Sequence, residues 1–418
     1  MKGPHPGMRI LFVSNLYPPH YLGGYELGCH DVAKGLSAKG HDVRVLTSTY
    51  GVNAPEGDGQ VYRWLELDLN WKPEPLRKHA MRLLRKEVRN QKAFRRLIKE
   101  LQPHIVYIFN LTHVSVSIAQ IAEQSGLPVF YFVSDKWLSR WETDRWHELW
   151  SYSFSRWAVR AGTRMLALWL RLRNITYTGS LLLPNSHFVS EFLKRDALAA
   201  GKPVATGEVI HWGVDLEKFC YRQQSNRPRR LLYVGQIAAM KGVRTIIEAM
   251  RIVVKEFGAA EAKLTIVGGT INPDFAAEMR SLVESYELSD NVEFAGFVAR
   301  EDLPEIYRQF DILLFPSLFD EALTITTLEA MASGLAVVST ATGGNVEVMK
   351  HEQNALIFAK EDAQTCAAHI LRLLNTDELF ESLRLNGRRT VEDGFGIEGM
   401  VDKIESSLMS KVSVRETK

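Results

Sequence analysis

The chain is poor in cysteine. Cys29, Cys220 and Cys366 are isolated among 418 residues, which excludes a disulfide framework and offers no zinc-type spacing. Long apolar runs are missing too. No stretch of about 18 apolar residues occurs, and no signal-type apolar region opens the sequence. Nothing is therefore expected to span a membrane or to be exported, and a reducing cytoplasm is the expected compartment. Charge of one sign is lacking: a net charge of +2 leaves no overall electrostatic footprint for nucleic acid. The dinucleotide fingerprint G-x-G-x-x-G is absent, which argues against hydride transfer. No internal repeat or low-complexity tract appears, and no carboxylate cluster of metal-ligand type is visible.

What is present is ordinary for a soluble globular protein, with 46% apolar and 24% charged residues. A chain of this length exceeds one hydrophobic core, so two domains of roughly 200 residues are expected. Met8–Ser14 and Asp42–Thr47 read as buried strands around an amphipathic helix Glu26–Lys39, a βαβ order that implies parallel pairing and a right-handed crossover. Ile105–Asn110, Pro128–Ser134 and Leu181–Asn185 read as further strands. Val209–Asp215 reads as a strand and turn. Glu217–Arg230 is polar and broken by Pro228, so it is the expected interdomain linker. It separates a domain over 1–216 from one over 231–393. Strands at Leu231, Lys263–Gly269 and Asn291–Phe297 and a helix Val243–Phe257 open the second half.

The stretch Phe310–Ser339 carries the chemistry. Asp311–Phe315 reads as a buried strand, and a helix capped by Thr324 or Thr326 stops at Gly334, followed by a strand over Leu335–Thr340. The helix N-terminus offers the N–H groups of Leu323, Thr324 and Ile325 to an anion such as a diphosphate. Glu321 in the loop and Glu329 inside the helix flank it, each able to accept from hydroxyls. The bland alternative makes Glu329 half of a capping box with Thr326 and Glu321 a solvated loop acid. Lys241, in a turn between a strand and the helix Val243–Phe257, is a second candidate for neutralising an anion. Gly23 and Gly24 stand where backbone approaches a ligand beyond a first strand, or else form a plain turn.

These residues resemble a known family. Glu321 and Glu329 match the E-x7-E motif of the retaining glycosyltransferases of family 4, the group 1 glycosyl transferases with the GT-B fold. Supporting segments are P-x-x-x-x-G-G-x-E at Pro18–Glu26, Gly40–Val43, Asp135 with Trp137 of an H-D-x-W turn whose His is Ser134 here, Lys241-Gly242, N-V-x-F-x-G at Asn291–Gly296, and Gly343-Gly344 with Glu347. The resemblance implies two doubly wound, Rossmann-like α/β domains facing across a cleft, and a C-terminal segment, 394–418, that returns to the first domain. It implies sugar transfer from a nucleoside diphosphate to an acceptor hydroxyl with retention, without a metal or other cofactor. Glu321 would hold the donor sugar, Glu329 the ribose, and Lys241 with the amides of Leu323–Ile325 the diphosphate, while Gly24 and Gln236 line the donor site. Gln236 stands where the family usually has Arg. His113, just beyond the strand Ile105–Asn110, is the candidate for a hydroxyl near the reacting carbon, with a surface histidine as the competing reading. A sugar-nucleotide epimerase and a non-catalytic sugar-nucleotide-binding protein remain alternatives.

Two segments bear on the acceptor. Lys72–Lys99 belongs to a run with a large excess of Lys and Arg over Glu; it reads either as a solvated helix face or as a surface for anionic headgroups. Trp137–Arg173 holds Trp137, Trp141, Trp146, Trp150, Trp157 and Trp169, with Arg156, Arg160 and Arg164 at i, i+4 spacing. It reads as an interfacial helix or a carbohydrate-stacking surface, with core packing as the competitor. A carbohydrate or lipid-linked acceptor, used in glycolipid or surface-polysaccharide assembly, is the expected partner.

Overall fold

The computed structural model describes residues 7–52, 59–69, 76–141, 180–222, 230–258 and 262–416. The chain divides into two compact units, 1–210 with 401–418, and 211–400. Each is built on a parallel sheet. In the first the order is β3-β2-β1-β4-β5-β6-β7, from Arg9–Ser14 (β1), Asp42–Ser48 (β2), Val61–Leu65 (β3), Ile105–Asn110 (β4), Val129–Val133 (β5), Ser186–Phe188 (β6) and Glu208–Val209 (β7). The second runs β10-β9-β8-β11-β12-β13, from Arg230–Val234 (β8), Lys263–Val267 (β9), Val292–Gly296 (β10), Ile312–Phe315 (β11), Ala336–Ser339 (β12) and Leu356–Ile357 (β13). Central strands such as β4, β5 and β11 are buried along their whole length, as parallel strands covered on both faces must be. Each fully buried Val, Leu, Ile or Phe there contributes roughly 1.5–3 kcal/mol.

Helix ends follow local chemistry. Ser190, Asn272 and Asp362 cap helices by accepting from Leu193, Phe275 and Thr365 N–H. The first helix begins at Gly24 rather than Glu26. Glu26 turns back to accept from the N–H groups of Leu22 and Gly23, both at 3.1 Å, and in doing so is fully buried. Burial pushes its carboxyl up to about 7 against the pull of those donors. Because the folded-state value lies above the unfolded one, the stabilisation is present at pH 4 and fades as pH rises through 7. About 3 kcal/mol should be lost between pH 4 and 8 at roughly 1.36 kcal/mol per unit. In denaturant titrations across that range Glu26→Gln should flatten the loss; an equal slope in the variant would assign the loss elsewhere.

From Val401 the last helix, Ile397–Glu416, belongs to the first unit. There Lys39 pairs with Asp402 and Glu405 at 2.6 and 2.9 Å, His41 meets Glu405 at 2.9 Å, and His187 joins Tyr107 to Ser407 at 2.7 and 2.9 Å.

Three sequence expectations change. Leu181–Asn185 is not a strand: Leu183 has φ +49°, Leu182 and Leu183 donate to the Glu123 carboxylate, and Pro184 has no N–H to give. Pairing starts at Ser186. Val209–Asp215 keeps only β7, because Trp212 and Val214 turn into buried packing, and Val214 N–H donates to Phe395. Of the expected linker Glu217–Arg230, Phe219 is buried against Tyr307 with ring centroids 5.8 Å apart, so its start belongs to the second unit. Residues 223–229 lie outside the described residues.

The basic run forms a helix, Leu76–Leu101, and much of its charge is spent inside the first unit. Arg82 and Lys86 each lie 3.3 Å from Asp68, Arg89 lies 2.8 Å from Glu66, and Arg96 stacks over Trp64. Glu87, on the same helix, is fully buried and bonded to Ser117 and Gln91. A plain solvated face is therefore excluded. Trp137 and Trp141 are buried, the latter beneath the Lys202 ammonium at 4.7 Å. For these two, core packing replaces the interfacial reading. Trp146, Trp150, Trp157, Trp169, Arg156, Arg160 and Arg164 lie outside the described residues.

Candidate functional site

The order of the second sheet reverses between β8 and β11, the topological switch point where open α/β sheets bind ligands beyond the carboxyl ends of their strands. Lys241 ends a short turn, Ala239–Lys241, after β8, and Gly242 then starts the helix Val243–Phe257. Glu321 lies in the loop after β11. The two side chains meet, Nζ to Oε1 at 2.7 Å. Ser317 Oγ donates to the same oxygen at 2.7 Å, which fixes the carboxylate. The side chains are 25% and 14% exposed, so the pair is held in place yet open to a ligand.

Backbone approaches are close. Gly242 has φ +70°, and a Cβ there would lie 1.9 Å from the Pro316 carbonyl oxygen. Gly343 has φ +59°, a Cβ would come within 2.1 Å of the Glu321 carbonyl oxygen, and the Gly344 N–H donates to that oxygen at 2.7 Å. Only glycine fits either position.

The helix after Glu321 spans Ile325–Ser333, with Thr324 at its N-cap and Gly334 left-handed at its end. Neither Thr324 nor Thr326 closes it as a side-chain cap. Asn345 does that work, accepting from Thr324 N–H at 2.9 Å and donating to Thr324 Oγ1 at 3.0 Å. Of the three amides expected to face an anion, that of Thr324 is thus engaged by Asn345. Leu323 is buried, and Ile325 opens the first helical turn. Glu329 is not part of a capping box. It is 2% exposed, takes Arg300 Nη1 on Oε1 at 2.8 Å and the Tyr307 hydroxyl on Oε2 at 3.2 Å. Gln236 follows β8, and its carbonyl accepts from Tyr233 at 2.8 Å.

Met240, Ile271, Phe297, Phe319 and Val346 are exposed large apolar residues. All five sit in connections beyond the carboxyl ends of β8 to β12, which concentrates exposed apolar surface on the edge that carries Lys241 and Glu321.

His113 and Gly24 belong to the first unit. His113 follows β4 in a left-handed conformation, φ +63°, and its carbonyl accepts from Asp68 N–H at 3.0 Å. Burial holds its imidazole below the usual range, opposed by Asp68, so the ring is neutral near pH 7. Gly24 is exposed at the start of the first helix. Both lie beyond β1 and β4, where the first sheet reverses order. Asp135 accepts from Asn110 Nδ2 at 2.8 Å and Trp137 N–H at 3.0 Å, while Ser134 Oγ beside it is buried without a partner among the described residues. No group of three His, Cys, Asp or Glu side chains placed to hold a metal ion occurs among the described residues.

Sequence reasoning missed Ser317, Arg300, Tyr307 and Asn345. Ser317 was within reach, four residues before Glu321. The other three act over 21 to 29 residues, a separation at which no local pattern carries a signal.

The chain is similar to known glycosyltransferases. Residues 220–390 match the family described as glycosyl transferases group 1, and residues 23–171 match the glycosyl transferase 4-like domain. The amylovoran biosynthesis glycosyltransferase AmsK of Erwinia amylovora is 32% identical over 51% of this chain and 52% of its own length. An uncharacterised glycosyltransferase of Methanocaldococcus jannaschii is 25% identical over 93% and 94%. Against AmsK and the Salmonella typhimurium relative WcaL, the match spans about half of those proteins, 52% and 57%. Among solved structures, sucrose-phosphate synthase of Thermosynechococcus elongatus superposes with a TM-score of 0.73 at 21% identity, covering 97% of this chain and 100% of that one. HepE of Anabaena, solved with UDP-glucose, does so at 0.67 and 18% over 96% and 100%.

Proposed function

The chain belongs to the group 1 glycosyltransferases, with a 4-like N-terminal domain and the GT-B fold, and from that premise we propose that it moves a sugar from a nucleoside diphosphate to an acceptor hydroxyl with retention. The observation that carries the reading is the Lys241–Glu321 pair at the sheet switch point, 2.7 Å apart and next to the helix that holds Glu329. As the glycosidic bond to the diphosphate breaks, the sugar gains oxocarbenium character and negative charge grows on the leaving phosphate. Lys241 faces that charge, with the helix N-terminus beside it. Glu321 accepts from donor-sugar hydroxyls through the lone pairs that Lys241 and Ser317 leave. Glu329 accepts from the ribose. His113, neutral, is the first unit's candidate for bonding a substrate hydroxyl.

A uridine diphosphate sugar is the first donor to test, since a structural neighbour was solved with UDP-glucose. The proposed setting is surface-polysaccharide or glycolipid assembly at the cytoplasmic face of a membrane, because relatives are named for amylovoran and colanic acid biosynthesis. No described helix is long and apolar enough to cross a membrane. Surface contact through Lys72–Lys99 would draw on the basic residues of that run that do not meet Asp68 or Glu66, and co-sedimentation with anionic vesicles that is insensitive to salt would count against it.

Thermal-shift titration of the whole chain with UDP, GDP, ADP and their sugars tests the donor. A ligand at 100 times its Kd stabilises by about 2.7 kcal/mol. A selective shift, followed by turnover with a membrane extract that EDTA does not stop, is the expected result. No shift with any nucleotide would refute the reading. A shift without turnover would favour the non-catalytic alternative, and conversion of the donor without an acceptor would favour an epimerase.

A further inference from the structure

The first sheet has a switch point of its own, between β1 and β4, and the residues just past the strands there are tied into one network. Asn15 N–H donates to the Asn110 carbonyl at 2.9 Å, and Asn15 Nδ2 to that of Thr112 at 2.9 Å. Thr112 N–H returns to Asn110 Oδ1 at 2.7 Å. Asn110 Nδ2 then reaches Asp135 Oδ2 at 2.8 Å, and the Trp137 backbone N–H holds the other oxygen at 3.0 Å. Tyr25, at the start of the first helix, donates to Asn15 Oδ1 at 3.0 Å. We propose that Asp135 binds a hydroxyl of the acceptor, and that the acceptor presents a neutral polyol there rather than a phosphate, which rests on the transfer reading above.

Fixed geometry comes first. Asp135 is half-buried, and its two donors take one lone pair on each oxygen, where an ionised carboxylate offers about four. The remaining positions suit the O–H donors of a polyol. The turn around it carries more unused polar capacity. Ser134 Oγ and Trp137 Nε1 are buried without a partner among the described residues, and such atoms are uncommon unless a water or a ligand completes them. Charge decides the class. Burial raises the Asp135 carboxyl above its usual range, opposed by its two hydrogen-bond donors, and among the described residues no cationic side chain takes part in that shift. Lys136, next in sequence, turns to Asp196 at 3.1 Å. A phosphate brought to Asp135 would therefore meet a carboxylate without a counter-charge, whereas a hydroxyl donates to it.

Transfer of labelled sugar into a membrane extract by the full chain, from the donor chosen by thermal shift, tests this. Asp135→Asn should raise the extract concentration that gives half the maximal rate at least about tenfold, the size of one lost hydrogen bond to a charged group, with the donor KM changed less than about twofold. Adding Asn110→Asp reverses the bond between the two side chains and moves the charge. Packing is then kept while the acceptor's partner is displaced, and the double variant should stay impaired. Treating the extract with alkaline phosphatase should leave the rate of the unmodified chain intact. Full recovery in the double variant would show a merely structural role and overturn the inference, as would a donor KM that rises in step. Loss of rate after phosphatase treatment would overturn the neutral class. An unchanged half-saturation in Asp135→Asn overturns the inference alone, whereas an unmodified chain that shows no donor shift, or a shift without transfer, would mean that the transfer reading itself fails.

Discussion

Lys241→Ala should lower the turnover number for sugar transfer by about 10²- to 10³-fold, equivalent to roughly 2.7–4 kcal/mol of transition-state stabilisation. The argument is one of position. The ammonium lies 2.7 Å from Glu321 at the start of the helix Val243–Phe257, where the proposed reaction would build charge on the leaving diphosphate. By resemblance Gln236 stands where the family usually has Arg, so in the proposed reaction the electrostatic load falls on Lys241. Stability should change far less, on the order of 1 kcal/mol, because the pair is partly exposed and a solvated ion pair is worth little. The split between kcat and KM decides the outcome. A fall in kcat with a comparable fall in kcat/KM places the contact in the transition state, whereas a raised KM at unchanged kcat would mean that Lys241 only helps to bind the ground state. Lys241→Arg should recover part of the rate, since the charge is kept while its geometry changes.

The fold was legible because each of its signals is local. Apolar runs such as Ile105–Asn110 and Asp311–Phe315 can be buried on both faces only in a parallel sheet, and the strand-loop-helix order then dictates the crossovers. Helix Val243–Phe257 appears with the bounds expected, because a left-handed Gly242 and a terminal Gly258 mark both ends. The failures have physical causes as well. Leu181–Asn185 is apolar enough for a strand, but the Glu123 carboxylate, some sixty residues away in sequence, captures two of its N–H groups. The basic run gave no hint that Asp68 and Glu66 would absorb part of its charge, because strand and helix meet only in three dimensions.

The candidate site divides in the same way. Glu321, Glu329 and Lys241 were readable as candidates from spacing and resemblance. Their partners were not. Thr324 offered itself as a cap by residue type, yet its hydroxyl accepts from Asn345, 21 residues on, and makes no cap bond. Whether an acid is a solvated group or a fixed receptor depends on such partners. Arg300 and Tyr307 hold the Glu329 carboxylate, and Ser317 with Lys241 holds that of Glu321.

Gly242→Val should damage the second unit more than any other single substitution considered, and the reason lies in the backbone. At φ +70° a β-branched residue is strained by about 1–3 kcal/mol. The added Cβ would also stand 1.9 Å from the Pro316 carbonyl oxygen. That oxygen belongs to the chain leaving β11, so no side-chain rotation relieves the overlap, and overpacking adds roughly 1–3 kcal/mol more. For a unit of this size each kcal/mol is worth about 2–4 °C, so the first thermal transition should fall by roughly 10 °C. Relief of the clash must separate the turn after β8 from the loop after β11, which are the two segments that bring Lys241 and Glu321 together. Nucleotide binding should therefore be lost even at temperatures where the variant is folded by circular dichroism. Gly399→Ala is the control. It lies in the helix Ile397–Glu416, a Cβ there meets nothing within 4 Å, and removing a helical glycine should be neutral or stabilise by up to about 1 kcal/mol. If Gly242→Val melts with the unmodified chain and still binds nucleotide, the two loops are not packed as described, and the geometry assigned to the Lys241–Glu321 pair is wrong.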